Sequence, residues 1–225
     1  IFTYQCDFED VVEREKWNEN LNAGPKGKEC ANQWYLGRLG ANGGDYGLFV
    51  SNDSVSNNYS ASALSVVAYR EVLLDSGRYE FSFDWRAGGW QDSISDEDGL
   101  YVFWVPVTET IVSVANSSKP KWFDESKALK FDRKSPMLSQ SDWNTIVGSL
   151  TSDGTPHKLV FAWRNDMNGA YPPAVCVDNI LIMPEGYCHK PYDLKLEVND
   201  LDATFSWRGE SESYDVRCYN SRTGK

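Results

Sequence analysis

Residues 77–86 alternate without a break. Tyr79, Phe81, Phe83 and Trp85 fall on one side of an extended chain, and Glu80, Ser82, Asp84 and Arg86 on the other. Successive side chains of a strand point to opposite faces, so this run has one aromatic face to bury and one polar face to leave in water. A helix would scatter the same four aromatics around its circumference. The segment therefore demands a second layer, and weaker runs supply it. Strands are predicted over 2–8, 33–37, 46–51, 66–74, 99–107, 143–150, 157–164 and 174–183. Residues 100–105 are apolar on both faces, as expected of a central strand covered from both sides. Turn-forming sets separate the runs: Asn42-Gly43-Gly44, Asp75-Ser76-Gly77, Ala87-Gly88-Gly89, Asp98-Gly99 and Asp153-Gly154. Residues 119–141 lack alternation and read as a long excursion with a helical turn around 124–129. Many strands between regular turns, without a long helical pattern, predict an all-β fold, an antiparallel jelly-roll β-sandwich.

A boundary is predicted near 184–191, where proline, glycine and charge cluster. Short strands restart at 194–198, 203–207 and 214–219. From residue 188 to the end there are 38 residues, and chains below ~40 residues seldom bury an adequate core. The expectation is one complete domain over 1–184 and the opening of a second sandwich over 188–225, in a monomeric fragment of a larger chain. A Phe-x-Trp-Arg tetrad recurs at 83–86, 161–164 and 205–208. No flanking residues recur with it, so it is strand chemistry and not an internal repeat.

Charge narrows the partners. The chain of 225 residues has 22 Lys and Arg against 33 Asp and Glu, a formal net charge of −11. Binding to nucleic acid needs a cationic footprint, so no nucleic-acid partner is expected. Aromatics make up 14% of the chain, far too many for a disordered one. No apolar stretch reaches the ~18 residues of a membrane span, so no membrane insertion is expected. The start at Ile1 has neither an initiator Met nor a signal-peptide pattern and reads as a mature or trimmed terminus. The five cysteines (Cys6, Cys30, Cys176, Cys188, Cys218) include no C-x-x-C pair, and His157 and His189 lack ligand spacing, which argues against zinc. An odd count leaves at least one thiol unpaired or pairing outside this fragment. One or two disulfides and buried thiols both remain open.

Several segments, taken together, resemble a known group. Cys6-Asp7-Phe8-Glu9-Asp10 followed by Trp17 resembles the opening of jelly-roll adhesin and MAM domains, and of several jelly-roll carbohydrate-binding modules. Leu48-Phe49-Val50-Ser51-Asn52-Asp53, Ala68-Tyr69-Arg70 and Phe81-Ser82-Phe83-Asp84-Trp85 follow. Then come Phe161-Ala162-Trp163-Arg164-Asn165-Asp166, Pro172-Pro173 and Val177-Asp178-Asn179-Ile180. In order and spacing the set is similar to the MAM-like, cleaved-adhesin-type modules of Bacteroidetes surface proteins, over about 1–184. Residues 194–219 resemble the first three strands of a fibronectin type III domain, with Trp207 as its strand-B tryptophan. Trp17 follows no second cysteine, so the MAM disulfide scheme does not carry over. Within the fibronectin-like part, Cys188 with Cys218 is the first pair to examine, and Cys6 with Cys30 the next.

The resemblance implies a secreted or cell-surface bacterial module that is not an enzyme and serves adhesion or glycan binding. Its partner would be a glycan or a host or cell-surface glycoprotein. The rival readings are a glycoside hydrolase, a protease accessory domain and a purely structural spacer. The resemblance also implies calcium, a structural ion held by Glu9 at the end of the first strand and Asp178 on the last. Asp7, Asp10, Asn52 and Asp53 could add oxygens. Asp178 lies in an otherwise apolar run, where a carboxylate needs a cation, a donor network or an exposed face. Glu9 and Asp178 can equally be hydrogen-bonded strand-end carboxylates, and the stretch 13–16 reads as solvated loop.

For glycans the candidate contacts are Trp90, Gln91 and Asp92 on the polar loop 88–98, with Tyr59 and Tyr171 in loop contexts. Binding residues concentrate on loops carried by rigid scaffolds; in a chain this aromatic, the same side chains can instead be core. Catalysis finds little footing. There is no Gly-x-Ser-x-Gly elbow, no phosphate loop and no dinucleotide fingerprint. Asp96-Glu97-Asp98 holds carboxylates but reads as a strand junction. His157 reads as a surface histidine at a strand start, and Cys176 as a buried thiol.

Overall fold

The computed structural model describes residues 3–24, 30–88, 98–117, 119–131, 137–187, 192–199 and 202–208. Trp90, Gln91, Asp92, Cys188, Cys218 and the strand expected at 214–219 lie outside these residues. The chain divides into two compact units, Ile1–Glu185 and Gly186–Lys225.

The first unit runs β1 (Tyr4–Cys6), α1 (Val11–Arg14), β2 (Trp17–Glu19), β3 (Gln33–Gly37), β4 (Gly47–Ser51), β5 (Leu64–Val72) and β6 (Gly77–Ala87). It continues with β7 (Gly99–Pro106), β8 (Val114–Ala115), β9 (Gln140–Ser152), β10 (His157–Asn165) and β11 (Cys176–Pro184). Two antiparallel sheets result. One has the order β3-β4-β11-β6-β9, with β1 also on β11; the other has β2-β5-β10-β7, with β8 on β5. The fold is the expected all-β jelly-roll sandwich. In the second unit β12 (Tyr192–Asn199) pairs with β13 (Asp202–Arg208) as an antiparallel hairpin.

The aromatic face of β6 lies inside. Tyr79, Phe81, Phe83 and Trp85 are buried, as are Leu159, Phe161 and Trp163 of β10. Phe83 meets Phe161 edge to face, with ring centroids 5.2 Å apart, a geometry that places the positive ring edge on the negative face. Trp17 and Phe8 extend this stack at the start of the chain. The Phe-x-Trp-Arg tetrads of β6 and β10 follow from the same alternation: Phe and Trp point in and Arg lies on the opposite face, whereas Phe205 of the third tetrad is exposed on β13.

Two expectations need correcting. Residues 100–103 are buried on both faces and Trp104 and Val105 are half-buried, yet β7 ends its sheet and is not central. Its outer face is covered by the excursion 107–131, whose Ile111, Trp122, Phe123 and Ala128 pack on Val67, Tyr69, Tyr101, Phe103, Val160 and Ala162 as a second core. Arg164, 1% exposed, fastens this cover by donating to Glu125 (2.7 Å) and to the Tyr101 hydroxyl (3.2 Å). Glu125–Lys127 forms the expected helical turn as a single 3₁₀ turn.

The second correction concerns residues 13–16, which are not solvated loop. Asp10 caps α1 by accepting from the Val12 and Glu13 amides. Glu13 accepts from Arg70 Nε (2.7 Å), from Arg70 Nη2 (3.2 Å), from the Tyr4 hydroxyl (2.9 Å) and from Lys16 (3.2 Å). Burial alone would raise the Glu13 carboxyl; the bonds from Arg70 and Tyr4 outweigh it and hold the group below its ordinary value. A depressed carboxylate stabilises the fold above its unfolded pKa and loses that contribution as pH falls through the folded one. Glu13→Gln should therefore cost about 1–2 kcal/mol at pH 7. The difference from wild type should fade below about pH 4, as urea titrations across pH would measure.

Candidate functional site

Two places gather chemistry. The first is a gap in a ladder. On one edge β11 pairs first with β4, through Cys176 and Val177, and later with β1, through Ile180, Leu181 and Ile182. Asp178 and Asn179 sit between the two, where no strand faces them, and β11 bulges against β6 just beyond Asp178. Asn179 and Phe8 both take left-handed backbone there (φ 50° and 60°), which ends β1 at Cys6, two residues short of the expected strand end.

Loop 42–46 fills the gap. Asp178, 1% exposed, accepts from the Asn42 amide (2.6 Å) and the Asn179 amide (2.7 Å). Asp84 stands directly opposite on β6 and accepts from the side-chain amides of Asn42 (2.9 Å) and Asn179 (2.8 Å), and from Thr145. Burial pushes the Asp178 carboxyl up to about 6 against these donors, and the charges of Asp84 and Asp7 add to the rise. At the far end of the loop, Glu9 Oε1 accepts from the Asp45 (2.9 Å) and Tyr46 (2.8 Å) amides. Asp7 accepts from the Glu9 amide (3.1 Å), and Arg14 donates to the Phe8 and Glu9 carbonyls while lying over the Tyr46 ring.

Glu9 and Asp178 thus grip the same loop, but from opposite ends. The donor network is what satisfies Asp178. Asn52 and Asp53 belong elsewhere: Asp178 follows the residue paired with Leu48, which sets them about five residues, or ~16 Å, along β4. Asp53 folds its own loop, accepting from the Ser56 and Val55 amides, bonds that hold its carboxyl well below the usual range. Asn52 donates to Ser60, and Asp10 is a helix cap. Among the described residues no three Asp, Glu, His or Cys side chains are gathered as a metal site. A hard cation here would have to draw on amide and backbone oxygens as well. The oxygens at hand, on Asp178, Asp84 and the Asn42 carbonyl, each already accept from an amide. Asp84 and Asn42 were not among the sequence candidates, because only the pairing of β6 with β11 brings Asp84 opposite Asp178 and only the packing of loop 42–46 brings Asn42 there.

The second place is a cleft of about 400 Å³ between β7 and the excursion. Phe103 and Val105 line it from the outer face of β7, and Ile111 and Trp122 from the excursion, with Glu109 and Lys127 supplying charge. Trp104 sits between Phe103 and Val105 in sequence, but its ring turns to the inner face and packs on the main core. Trp104 is stacked on His157, the rings 7° from parallel and 4.9 Å apart. Trp122 is fixed by donating to the Val112 carbonyl (2.8 Å) and meets Phe103 edge to face. Lys158 donates to the Glu109 carbonyl (2.7 Å), holding that end of the excursion to β10. His157 is 7% exposed and so is not a surface histidine. No single segment of the sequence signals this cleft; its walls come from strand and excursion together.

The other expected residues fall as follows. Tyr59 is a core residue. It is 3% exposed, edge-on to Trp163, donates to Asp98 (2.7 Å) and accepts from the Tyr171 amide (2.8 Å). Tyr171 itself is 41% exposed and lies at the base of the loop after β6, where Gly88 donates to the Pro173 carbonyl. Cys6 and Cys176 are buried free thiols, so the Cys6–Cys30 bridge does not form. Cys6 belongs to the inward face of β1, packed within the core. Burial pushes the Cys176 thiol up to about 11, the inert kind.

No protein-family model matches the chain, and the comparison with curated proteins gives no match. Among solved structures it is similar to TmCBM61 in complex with β-1,4-galactotriose, at 13% identity, covering 75% of this chain and 88% of that one, TM-score 0.37. It is also similar to the CBM22-1 xylan-binding domain of Paenibacillus barcinonensis Xyn10C (11% identity, 80% and 91% covered, TM-score 0.41). TmCBM27, a carbohydrate-binding module that recognises mannan, matches at 13% identity, with 81% and 98% covered and a TM-score of 0.33. Likenesses this distant decide neither ligand nor site.

Loop 42–46 yields a paired prediction. Gly43 and Gly44 both have positive φ (101° and 69°), but a Cβ on Gly43 meets nothing, whereas one on Gly44 would run into the Glu9 carboxylate. Gly43→Ala should cost about 1 kcal/mol in backbone strain. Gly44→Ala should cost about 1 kcal/mol more by displacing Glu9. Chemical denaturation of both variants checks the difference.

Proposed function

We propose that this chain is a non-catalytic glycan-binding module of a secreted or cell-surface bacterial protein. The observation that carries the reading is the cleft between β7 and the excursion. A pyranose ring has apolar C–H faces and a polar hydroxyl rim. A site for it needs flat aromatic walls and a few charged or amide groups to fix orientation. Phe103 and Trp122 supply the aromatic walls, and Glu109 and Lys127 the polar groups. A volume of about 400 Å³ lies within the ~300–1,000 Å³ of small-ligand sites. The bond to the Val112 carbonyl and the edge-to-face contact with Phe103 hold Trp122 in place before a ligand arrives, which lowers the entropy cost of binding. The second unit, Gly186–Lys225, supports a place within a multidomain chain. A glycan displayed on a cell-surface glycoprotein would be met in the same way, as adhesion requires.

Screening on a glycan array, followed by calorimetry, tests this. Trp122→Ala should weaken binding about tenfold, the scale of one lost aromatic contact, and Glu109→Gln about fivefold, with the melting temperature measured in parallel to establish folding. No binding across the array, or binding that neither substitution weakens, would overturn the reading.

In the same reading a calcium ion clips the start of the sandwich to its last strand. The support is the pair of facing carboxylates, Asp84 and Asp178, with the charge of Asp7 also felt at Asp178 and the Asn42 carbonyl within the same loop. Bound calcium would supply positive charge to these oxygens and tie β1, β6, β11 and loop 42–46 together. Saturation at ~100 times the dissociation constant stabilises by about 2.7 kcal/mol, or about 5–10 °C for a domain of this size. Chelation should lower the melting temperature of calcium-loaded protein by that amount, and Asp178→Ala should abolish the sensitivity. An unchanged melting temperature leaves Asp178 as a carboxylate held by amides alone.

A further inference from the structure

We infer that the cleft takes an acidic glycan, one whose pyranose carries a carboxylate or sulfate, bound with its anionic group at Lys127. The inference rests on the glycan-binding reading and adds the charge of the ligand.

Positive charge is concentrated beside the cleft. The chain has a net charge of −11, yet residues 119–131 carry Lys119, Lys121, Lys127 and Lys130 against Asp124 and Glu125 alone. The two acidic groups are both engaged within the fold. Glu125 pairs with Arg164 (2.7 Å) and Lys119 (3.6 Å), and Asp124 accepts from the Ser126 amide and hydroxyl. Lys127 has no carboxylate within 4 Å among the described residues, and its side chain lines the cleft beside Trp122. A second ammonium, Lys158, is drawn to this end of the sandwich by the Glu109 carbonyl. Lys127 feels the charge of Asp124 in the same turn but makes no close ion pair among the described residues, and a neutral sugar does not supply one. A uronate or sulfate gives it one, over an aromatic wall that lowers the local dielectric and strengthens the pairing.

Glu109 is the counter-argument, because its carboxylate lines the same cleft. Its place on a different part of the excursion from Lys127 turns the difficulty into an orientation rule. Hydroxyls donate to Glu109 and the anionic group meets Lys127, so the ring enters one way round. The rest of the molecule repels polyanions, so any preference for them must come from this local arrangement and not from overall charge.

Affinity electrophoresis and calorimetry on the full chain test the inference. The probes are polygalacturonate, chondroitin sulfate and neutral galactan, with chelator present so that calcium-bridged attachment contributes nothing. At 20 mM salt the acidic polymers should bind about tenfold or more tighter than galactan, and the preference should shrink at 500 mM salt as the pairing is screened. The two acidic probes separate carboxylate from sulfate. Lys127→Ala should weaken acidic binding about fivefold, and Lys127→Glu more, whereas Arg38→Ala on the other sheet should leave it unchanged. If galactan binds as tightly as the acidic polymers and depends on Trp122, the inference falls while the glycan reading stands. If the acidic polymers bind but neither Lys127 variant weakens them, the inference falls as well. If nothing binds, both fail.

Discussion

The contact of Phe83 on β6 with Phe161 on β10 is the point at which the two sheets become one body. β6 and β10 are the strands through which each sheet extends to its far side, β6 between β11 and β9 and β10 between β5 and β7. Both carry an aromatic inner face. Closing those faces on each other removes apolar surface that no other arrangement of these strands could hide, at ~25 cal/mol for each Å². Everything else in the first unit is arranged around that closure. Trp17 and Phe8 stack onto its edge, and the polar face of β6 is thereby committed to the outside, where Asp84 and Arg86 are available to other elements.

What sets this sandwich apart is that the outer face of one sheet is not left to solvent. Tyr101, Phe103, Val160, Val67 and Tyr69 make that face too apolar to expose, and the excursion 107–131 covers it. The covering segment is itself short of regular hydrogen bonding. It is held by particular bonds, from Arg164 to Glu125, Lys158 to the Glu109 carbonyl and Trp122 to the Val112 carbonyl. A cover fixed at points leaves space between them, and the cleft beside Phe103 and Trp122 is that space. The binding site we propose is a consequence of how a second core was closed.

The gap on β11 follows a different logic. Two short strands, β4 and β1, share one edge of β11 and do not meet. The residues between them would have unsatisfied backbone and a buried carboxylate, each costly. Loop 42–46 repairs both, because left-handed glycines at 43 and 44 let its amides turn toward Asp178 and Glu9. The arrangement leaves two carboxylates face to face with their charges only partly offset, which is the kind of place where a divalent cation has most to gain.

The sequence by itself determined the fold class. Period-two aromatic runs and regularly spaced turn residues leave few alternatives to a β-sandwich, because each residue's side of a strand is fixed by its position alone. For the same reason it located the inward face of β6 and the unusual place of Asp178 in an apolar run. It did not determine neighbours. Whether Asp178 would face Glu9, Asn52 or Asp84 depends on which strands pair and in what register. That is set by the competition of all strands for partners, and no local pattern carries it. Residues 100–105 show the same limit: their two-sided apolarity was legible, but a covering strand layer and a covering excursion impose the same pattern. Tyr59 was visible as a loop aromatic and is core, since burial of a loop is decided by what packs over it. The cleft was beyond local reading altogether, because a cavity is made by elements that fail to touch, and only the tertiary structure decides where that happens.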